Sequence, residues 1–380
     1  MRVLHVIPDL DPGGAEHQLR LLLPRLPVES AVVTLGGGSL AEPIRATGVP
    51  VIDLRGDGRQ LDLLPALVRL VRRGRYDLVH THRTRAALYG RAAARAAGGR
   101  AVVSTEHALG RTEVDGRPVT PKLRRAYRMS ARLGSATIAV SEPVADRLAG
   151  WGVDRVVVIP DGVDPAELAF DSELRAGTRA ELGLWPSERV VGAVGRLGPG
   201  SRFDVLLRAV AGLDATLLLA GDGPLRPELE RLAGRLGLAD RVRFLGPVAD
   251  LRPLLCAADV LAAPSAEEGF GLTVLEGLAC GLPAVHAGCP ALDALPAGAA
   301  PGTVRGAVDE LDLRTELAVV LDGALAGTRA PAPAVAHYRV DRVAARVAEL
   351  YEQVLRGERI PGRPAGAGCR PGRPRPGQRR

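Results

Sequence analysis

The clearest chemical signal in the sequence is a glycine-rich loop between a buried strand and an apolar helix. Its sequence is Pro264-Ser265-Ala266-Glu267-Glu268-Gly269-Phe270-Gly271-Leu272-Thr273-Val274-Leu275-Glu276-Gly277. The spacing of Glu268 and Glu276 predicts one carboxylate at the helix start and the other about two turns deeper. A carboxylate only accepts hydrogen bonds, so the pair suits the hydroxyls of a sugar or a ribose. Gly269 and Gly271 would let backbone N–H groups approach a phosphate at the helix N-terminus.

Two other strand ends carry weaker signals of the same kind. Gly13 and Gly14 follow the first strand and precede a helix, but they do not form the G-x-G-x-x-G fingerprint of dinucleotide-binding proteins. Arg196 follows the strand Val190–Val194, where a guanidinium could bind phosphate oxygens with two hydrogen bonds. A simple turn would explain the glycines equally well, and a surface position would explain the arginine.

Histidines follow two further strands. His107 comes directly after the strand Val102–Thr105 and Glu106, which favours a functional role over a purely structural one. His80 and His82 end another strand and are weaker candidates, for contact with an acceptor or for packing in a cleft.

These strand ends belong to an alternation of short apolar runs and amphipathic helical stretches, typical of parallel sheets covered by helices on both faces. The pattern starts again after a connector around Pro160–Pro186. We therefore predict an α/β protein of two tandem Rossmann-like, doubly wound domains. The predicted parts are a first domain over 1–165, a second over 166–336, a helix over 337–358 and a disordered Arg/Pro/Gly tail over 359–380. Ligands of such sheets bind beyond the carboxyl ends of the strands.

The amino-acid composition excludes several kinds of site. Lys122 is the only lysine and asparagine is absent, so neither a Walker A loop nor N-glycosylation can occur. The four cysteines have no C-x-x-C or zinc-site spacing, which indicates a reduced environment. No apolar run reaches the length of a membrane span, and the start of the chain does not resemble a signal peptide. We expect a cytoplasmic protein, with the inner face of the plasma membrane as an alternative.

Charge divides the chain unevenly, with a net charge of +7 over residues 1–165, −6 over 166–360 and +6 over the last twenty residues. A helical stretch with Lys122, Arg124, Arg125, Arg128 and Arg132 could rest on acidic lipid headgroups, although a solvated charged face would look the same. Aromatic residues make up only 3% of the chain, so we expect no nucleic-acid partner.

Seven markers occur together in the order of a known family. They are Gly13-Gly14-Ala15-Glu16, Thr105-Glu106-His107, Val158-Ile159-Pro160-Asp161-Gly162-Val163-Asp164, Gly195-Arg196-Leu197, Gly221-Asp222-Gly223-Pro224, Arg243-Phe244-Leu245-Gly246 and Glu268-x7-Glu276. From Met1 to about Leu355 the chain resembles the retaining, nucleotide-sugar-dependent glycosyltransferases of family 4. The resemblance implies the GT-B fold, in which two Rossmann-like domains face each other across the active-site cleft and the last helix returns to the first domain.

The resemblance also implies roles for individual residues. Glu268 would hold the hydroxyls of the donor sugar, Glu276 the ribose, and His107 would lie near the donor sugar and the acceptor. Arg196 would stabilise the diphosphate. The implied catalytic residues are His107, Glu268 and Arg196, and the implied donor-binding residues are Gly13, Gly14, Arg196, Ser201, Phe244, Leu245, Gly269, Gly271, Leu272, Thr273 and Glu276. The donor would be a UDP- or GDP-sugar, without cofactor or metal, and the acceptor a hydroxyl group. The basic charge of the first domain, independently of the resemblance, suggests that this acceptor is lipid-linked or anionic.

The sequence departs from the family pattern at two positions. Ser201 stands where the family commonly has a lysine that helps to neutralise the leaving diphosphate, and Asp161 replaces the usual asparagine. Loss of such a charge contact slows catalysis by powers of ten in enzymes that depend on it. The alternative interpretation is therefore a nucleotide-sugar-binding relative with weakened catalysis. Epimerases of the GT-B fold rank well below, because they lack this form of the Glu-x7-Glu pattern.

Overall fold

The computed structural model describes residues 1–54, 63–265, 267–306, 309–324 and 329–362. Most of the predicted tail, from residue 363 onward, lies outside the described residues. The first domain contains a seven-stranded, all-parallel sheet in the order β3-β2-β1-β4-β5-β8-β9 and a separate antiparallel hairpin, β6–β7. The strands are β1 (Arg2–Ile7), β2 (Glu29–Thr34), β3 (Val51–Asp53), β4 (Leu78–His82), β5 (Ala101–Glu106), β6 (Glu113–Val114), β7 (Arg117–Pro118), β8 (Ala136–Ala139) and β9 (Val156–Val158).

Helices connect these strands and cover the sheet. They are α1 (Gly14–Leu22), α2 (Ala41–Ala46), α3 (Leu63–Arg73), α4 (Arg83–Ala96), α5 (Pro121–Ala131) and α6 (Glu142–Gly150). The central strands are buried along their length, as their nearly continuous apolar sequences require. Strands β2 and β3 lie on one side of β1, and β4 and the later strands of the sheet lie on the other side. The switch in strand order between β1 and β4 leaves a crevice beyond their carboxyl ends, where such a sheet binds ligands.

The second domain repeats the architecture with a six-stranded sheet in the order β12-β11-β10-β13-β14-β15, again all parallel. Its strands are β10 (Val190–Val194), β11 (Thr216–Ala220), β12 (Val242–Gly246), β13 (Val260–Ala263), β14 (Ala284–His286) and β15 (Thr303–Arg305). Its helices are α8 (Phe203–Ala211), α9 (Arg226–Arg235), α10 (Arg252–Ala257), α11 (Leu272–Ala279), α12 (Pro290–Asp293), α13 (Glu310–Ala324) and α14 (Pro333–His337). The prediction of two Rossmann-like domains is confirmed.

Two helices lie outside this repeat. The predicted connector around Pro160–Pro186 contains a ten-residue helix, α7 (Ser172–Glu181), whose start is capped by Asp171. The last helix, α15 (Val340–Leu355), buries one apolar face against Val3, Leu78 and other residues of the first sheet. No helix among the described residues combines the length and the apolar character that a membrane crossing demands.

Candidate functional site

The two domains meet where the loop after β13 reaches the loop after β5. The Ser141 hydroxyl of the first domain donates a hydrogen bond of 2.6 Å to the Gly269 carbonyl of the second. A Cβ atom on Gly269 would collide with the backbone carbonyl oxygen of His107. Only glycine therefore allows the Glu268–Gly271 loop to lie directly against His107, and the structure brings these two predicted elements together.

Glu268 lies half-buried in this loop. Burial raises the pKa of its carboxyl, and the backbone N–H groups of Gly271, Gly269 and Phe270 hydrogen-bond to it and oppose the rise. The carboxylate thus occupies the cluster of backbone donors ahead of α11, next to the place where the sequence predicts a sugar.

The N-terminus of α11 faces the N-terminus of α1 across the domain boundary. A Cβ on Gly14 would lie 3.7 Å from Cδ2 of Leu272. Gly271, the N-cap of α11, has a φ of 96°, and a Cβ there would collide with Sγ of Cys289. Among the described residues no side chain caps α11, so its first N–H groups, up to Thr273, are suited to bind an anion.

Glu276 lies one helix turn deeper and is 3% exposed. Burial, followed by the charge of Asp161, raises the pKa of Glu276 to about 8, against an opposing effect of Arg20. Oε1 of Glu276 is 3.6 Å from Nε2 of His17 on α1, and burial lowers the pKa of His17 to about 4. Both groups are therefore largely uncharged at neutral pH, and Glu276 can lose a proton when hydroxyl donors bind.

Arg196 is exposed at the carboxyl end of β10 and reaches the first domain. Its Nη2 atom would be 2.7 Å from a Cβ on Gly116, in the turn of the β6–β7 hairpin. Ser201 does not extend toward this guanidinium. Its hydroxyl donates to the Arg196 carbonyl at 2.5 Å and closes the loop on itself. The serine therefore shapes the loop but supplies no charge in place of the missing lysine.

Phe244 and Leu245 lie on β12, the edge strand of the second sheet, and both are half-buried. Phe244 packs against the core on one face of the sheet and Leu245 against the core on the other. Main-chain groups of an edge strand are open to a partner, as the implied base-binding role requires.

Gly13 and Gly14 frame a charged cluster that the sequence analysis missed. A Cβ on Gly13 would come within 2.5 Å of Oε2 of Glu16, so the glycine makes room for this buried carboxylate. Glu16 accepts a hydrogen bond of 2.9 Å from Arg83, which also contacts Asp115 at 2.9 Å. Burial alone would lower the pKa of Arg83, but Asp115 and Glu16 outweigh it and raise it.

Arg83 has a φ of 71°, an uncommon conformation for a residue with a side chain. It follows directly on His82 at the carboxyl end of β4. This position beside His82 was a usable signal, but its acidic partners come from loops that the sequence does not connect with it.

His107 is 8% exposed, and partners hold both of its ring nitrogens. Nδ1 lies 3.0 Å from Oδ1 of Asp161, and Nε2 lies 3.4 Å from Nδ1 of His82. Burial lowers the pKa of His107, but the carboxylate of Asp161 outweighs burial and raises it. Hydrogen bonds at both nitrogens therefore fix the orientation of the imidazole ring. The backbone carbonyl is the part of His107 that faces the loop of Glu268.

Glu106 points away from His107. Its carboxylate accepts hydrogen bonds from Tyr127 at 2.7 Å and from Thr84 at 2.9 Å. Burial raises the pKa of Glu106 to about 7. Glu106 thus ties β5 to α4 and α5 and does not join the cleft.

His5, His80 and His82 are buried side by side, with ligand atoms within 4.8 Å of one another, which is the arrangement of a metal-binding cluster. Every ring nitrogen of the three nevertheless has a hydrogen-bonding partner. His80 contacts the Tyr351 hydroxyl at 2.5 Å and the Thr105 hydroxyl at 2.7 Å, while His5 and His82 contact each other at 3.2 Å. The cluster fits a hydrogen-bonded network better than a metal site.

Comparison with known proteins agrees with this architecture. The model of "Glycosyltransferase Family 4" matches residues 12–167, and that of "Glycosyl transferases group 1" matches residues 188–313. One glycosyltransferase model thus falls on each domain, in the family's order. Together the two matches support a GT4-like glycosyltransferase.

Curated relatives that the chain matches are D-inositol 3-phosphate glycosyltransferases. The protein of Actinosynnema mirum is 36% identical over 238 residues, which cover 56% of this chain and 56% of the relative. That of Mycolicibacterium gilvum is 45% identical over 141 residues, or 35% of this chain and 31% of the relative. The chain therefore spans between about a third and just over half of the length of these relatives.

Solved structures share the fold of this chain over almost its whole length. HepE of Anabaena, in complex with UDP-glucose, has a TM-score of 0.78 at 23% identity and covers 93% of this chain and 100% of its own. Sucrose-phosphate synthase of Thermosynechococcus elongatus has a TM-score of 0.74 at 20% identity, with 94% and 100% coverage. At these identities the similarity concerns the fold.

Proposed function

We propose that the protein transfers a sugar from a nucleotide-diphosphate sugar to an acceptor hydroxyl with retention of the anomeric configuration. The observation that carries the proposal is the position of Glu268 and Glu276, which flank the start of α11 at the carboxyl end of β13. The neighbouring Gly269 lies against the backbone carbonyl of His107. UDP is the preferred nucleotide over GDP, because the structural neighbour HepE was solved with UDP-glucose.

The chemistry follows from the groups present. Sugar hydroxyls would donate to Glu268 and ribose hydroxyls to Glu276, and the diphosphate would accept N–H groups of α11 and the guanidinium of Arg196. The bond between the anomeric carbon and the diphosphate oxygen breaks as the acceptor oxygen bonds to the same face. The acceptor proton passes to the departing phosphate oxygen. We propose no role for a metal, since backbone amides and Arg196 would stabilise the developing charge.

A donor screen tests this function. Purified protein is incubated with UDP- and GDP-sugars, release of nucleotide is measured, and NMR of the anomeric proton compares product with donor. We expect UDP release with a retained anomeric configuration, and strong loss of it in Glu268→Ala and Arg196→Ala. An inverted product, or turnover that persists undiminished in both variants, contradicts the proposal.

The second candidate function is nucleotide-sugar binding with weakened catalysis. It is favoured by Ser201, whose hydroxyl is committed to the Arg196 carbonyl and brings no charge to a diphosphate. Calorimetric binding of UDP without turnover by the natural sequence, together with turnover gained by Ser201→Lys, would favour this candidate over the first.

For the acceptor, we infer a small phosphorylated polyol as the first compound to test, because the curated relatives are D-inositol 3-phosphate glycosyltransferases. The acceptor screen includes D-inositol 3-phosphate and unphosphorylated inositol with the donor that gives the fastest nucleotide release. Transfer to the phosphorylated compound alone is expected. No transfer to either compound would exclude this acceptor class while leaving the donor assignment intact.

We also propose that the outer face of α5 contacts an anionic membrane surface, at the inner face of the plasma membrane. Residues 117–133 contain no acidic residue, and Lys122, Arg124 and Arg125 are exposed. Met129 and Leu133 beside them are 55% and 43% exposed. Cationic side chains around exposed apolar ones are the composition that binds acidic headgroups and enters the interface.

Sedimentation with phosphatidylglycerol vesicles tests this contact. Binding is expected at low salt, with loss in Arg124→Glu/Arg125→Glu and reduction in Met129→Ser. Charge reversal of Arg72 and Arg73 at the end of α3 is the matched control, because it makes the same change elsewhere in the domain. Equal binding by all variants, or none by the natural sequence, would mean that this face is simply solvated.

A further inference from the structure

Three histidines, a serine and an aspartate form one continuous hydrogen-bonded row inside the first domain. The Ser30 hydroxyl lies 3.4 Å from Nε2 of His5, and Nδ1 of His5 lies 3.2 Å from Nε2 of His82. Nδ1 of His82 lies 3.4 Å from Nε2 of His107, and Nδ1 of His107 lies 3.0 Å from Asp161. Each of the three links that start from a histidine joins its Nδ1 to an atom of the next residue toward the cleft.

The anionic end sets the direction of this row. Because a carboxylate only accepts, Nδ1 of His107 must carry a hydrogen. A neutral His107 then accepts at Nε2, so His82 donates from Nδ1 and accepts at Nε2, and His5 donates from Nδ1 in the same way. The Ser30 hydroxyl donates to Nε2 of His5. All hydrogens of the neutral row point toward Asp161.

One added proton reverses the row without moving any ring. A proton taken up at Nε2 of His5 allows the hydrogen on Nδ1 of His5 to pass to Nε2 of His82. The hydrogen on Nδ1 of His82 then passes to Nε2 of His107. His107 becomes an imidazolium beside Asp161, and the other two rings are neutral again with their hydrogens on Nε2. Each transfer breaks one N–H bond and forms one, so the row gains a single proton.

The charges around the row place that proton at its cleft end. His107 faces Asp161, and the charges of Glu16 and Glu106 also favour its protonated form. His5 contacts Ser30 and His82, His82 contacts His5 and His107, and burial lowers the pKa of both His5 and His82. His80 is not a member of the row, because Tyr351 of α15 and Thr105 occupy its nitrogens.

We propose that Asp161 is a positioning residue that acts through His107, and that His5, His82 and His107 share one proton that determines how His107 is held in the cleft. The backbone carbonyl of His107 lies against Gly269, so its position bears directly on the loop of Glu268. The consequence for catalysis rests on the proposed function, whereas the proton row itself does not.

Imidazole ¹⁵N NMR of the full chain without substrate tests the row directly. We expect the Nδ1–H tautomer at His5 and His82 at high pH, a shift of both to Nε2–H as one proton is taken up, and the positive charge at His107. Nε2–H tautomers at high pH, or independent titration of the three rings, would overturn the proposal whether or not the protein is an enzyme.

Asp161→Asn removes the charge at the end of the row but keeps its size. The proton affinity of His107 should fall by about tenfold or more, and the pH profile of kcat/KM for donor turnover should move to lower pH by a matching amount. A purely structural role would lower kcat/KM equally at all pH values. Asp164→Asn is the control, because Asp164 belongs to the same turn but pairs with Arg25. An unchanged proton affinity of His107 in Asp161→Asn contradicts the proposal.

Discussion

The carboxyl ends of the two sheets have the same topology but different chemistry. In the first domain, His107 hydrogen-bonds to both Asp161 and His82, and Arg83 is neutralised by acidic partners. In the second domain, no side chain in the described part of the chain caps the first N–H groups of α11, and the guanidinium of Arg196 is exposed. The polar groups of the first crevice are thus paired within the protein, whereas the second crevice retains hydrogen-bond donors that can bind a ligand.

This difference separates positioning from binding. Groups that already have partners can orient a ligand only through shape, main-chain atoms or a shared proton, whereas unpaired donors can bind it directly. We therefore expect substitutions in the second domain to reduce ligand binding and turnover most. Substitutions in the first domain should act mainly on stability and on pH dependence.

The largest effect is expected from Glu268→Gln. The amide removes the charge that would accept sugar hydroxyls, so donor turnover should fall on the order of 10²-fold, or about 2.7 kcal/mol of transition-state stabilisation. The free energy of unfolding should hardly change or rise, because burial disfavours the ionised form. Steady-state nucleotide release measures the first quantity and urea unfolding the second. Glu228→Gln on the exposed face of α9 is the control, and equal turnover by both variants would refute the binding role.

Gly271→Ala should have the next largest effect. Alanine at a φ of 96°, with its Cβ against Cys289, should cost about 1–3 kcal/mol of unfolding free energy and displace the start of α11. Calorimetry should show weaker UDP binding as well. In contrast, Gly234→Ala within α9 has free space around its Cβ and should stabilise the protein by up to ~1 kcal/mol. Unimpaired UDP binding by Gly271→Ala would show that this helix start does not hold the nucleotide.

Much of the fold could be predicted because the spacing of apolar residues within each segment indicates whether it forms a helix or a strand. The terminal helix was predicted over 337–358 and spans Val340–Leu355, and its buried face is apolar throughout. Helix α7 was missed for the opposite reason. Its buried side includes Thr178 and Arg179, and Arg179 pairs with Asp259 eighty positions away. A helix that buries an ion pair has little apolar periodicity to detect.

The candidate site was predictable where its parts are close in sequence. Glu268 and Glu276 lie on one loop and one helix, so their spacing alone places them together. His107 was found by its position after a strand, but its pairing with Asp161 joins residues 54 positions apart through two loops. The contact of His5 with His82 follows only from the sheet register, which sets His5 opposite His80, two positions before His82 on β4. Partners of this kind depend on tertiary structure.

The buried histidine His5 of the first domain should affect how the free energy of unfolding falls at acidic pH. Burial lowers the pKa of His5 to about 3, so the unfolded chain takes up a proton below about pH 6.5 that the folded chain does not. This contribution to stability is complete above pH 6.5 and is lost toward pH 3, by about 1.4 kcal/mol per pH unit.

His5→Asn removes that titration, so its unfolding free energy should fall less steeply below pH 6.5 than that of the natural sequence. Urea unfolding from pH 7 to pH 5 measures the slopes. His337→Asn on the exposed side of α14 is the control, because it makes the same substitution away from the buried histidines. Parallel slopes for His5→Asn and the natural sequence would mean that His5 is not held neutral.

The smallest effect concerns Glu276 in the second domain. Its pKa of about 8 means that it is mostly protonated at pH 7, whereas ribose hydroxyls are best accepted by the ionised carboxylate. Nucleotide binding should therefore release up to ~1 proton at pH 7, and affinity should rise by at most about tenfold between pH 7 and pH 9. Calorimetry with UDP-glucose in buffers of different ionisation enthalpy, without acceptor, measures the release. Glu276→Gln should abolish both effects, while Glu228→Gln should keep them. Proton release that persists in Glu276→Gln would assign the proton to another group. Glu276 would then only pack between α11 and α1, and the polar groups of the second crevice would be paired within the protein like those of the first.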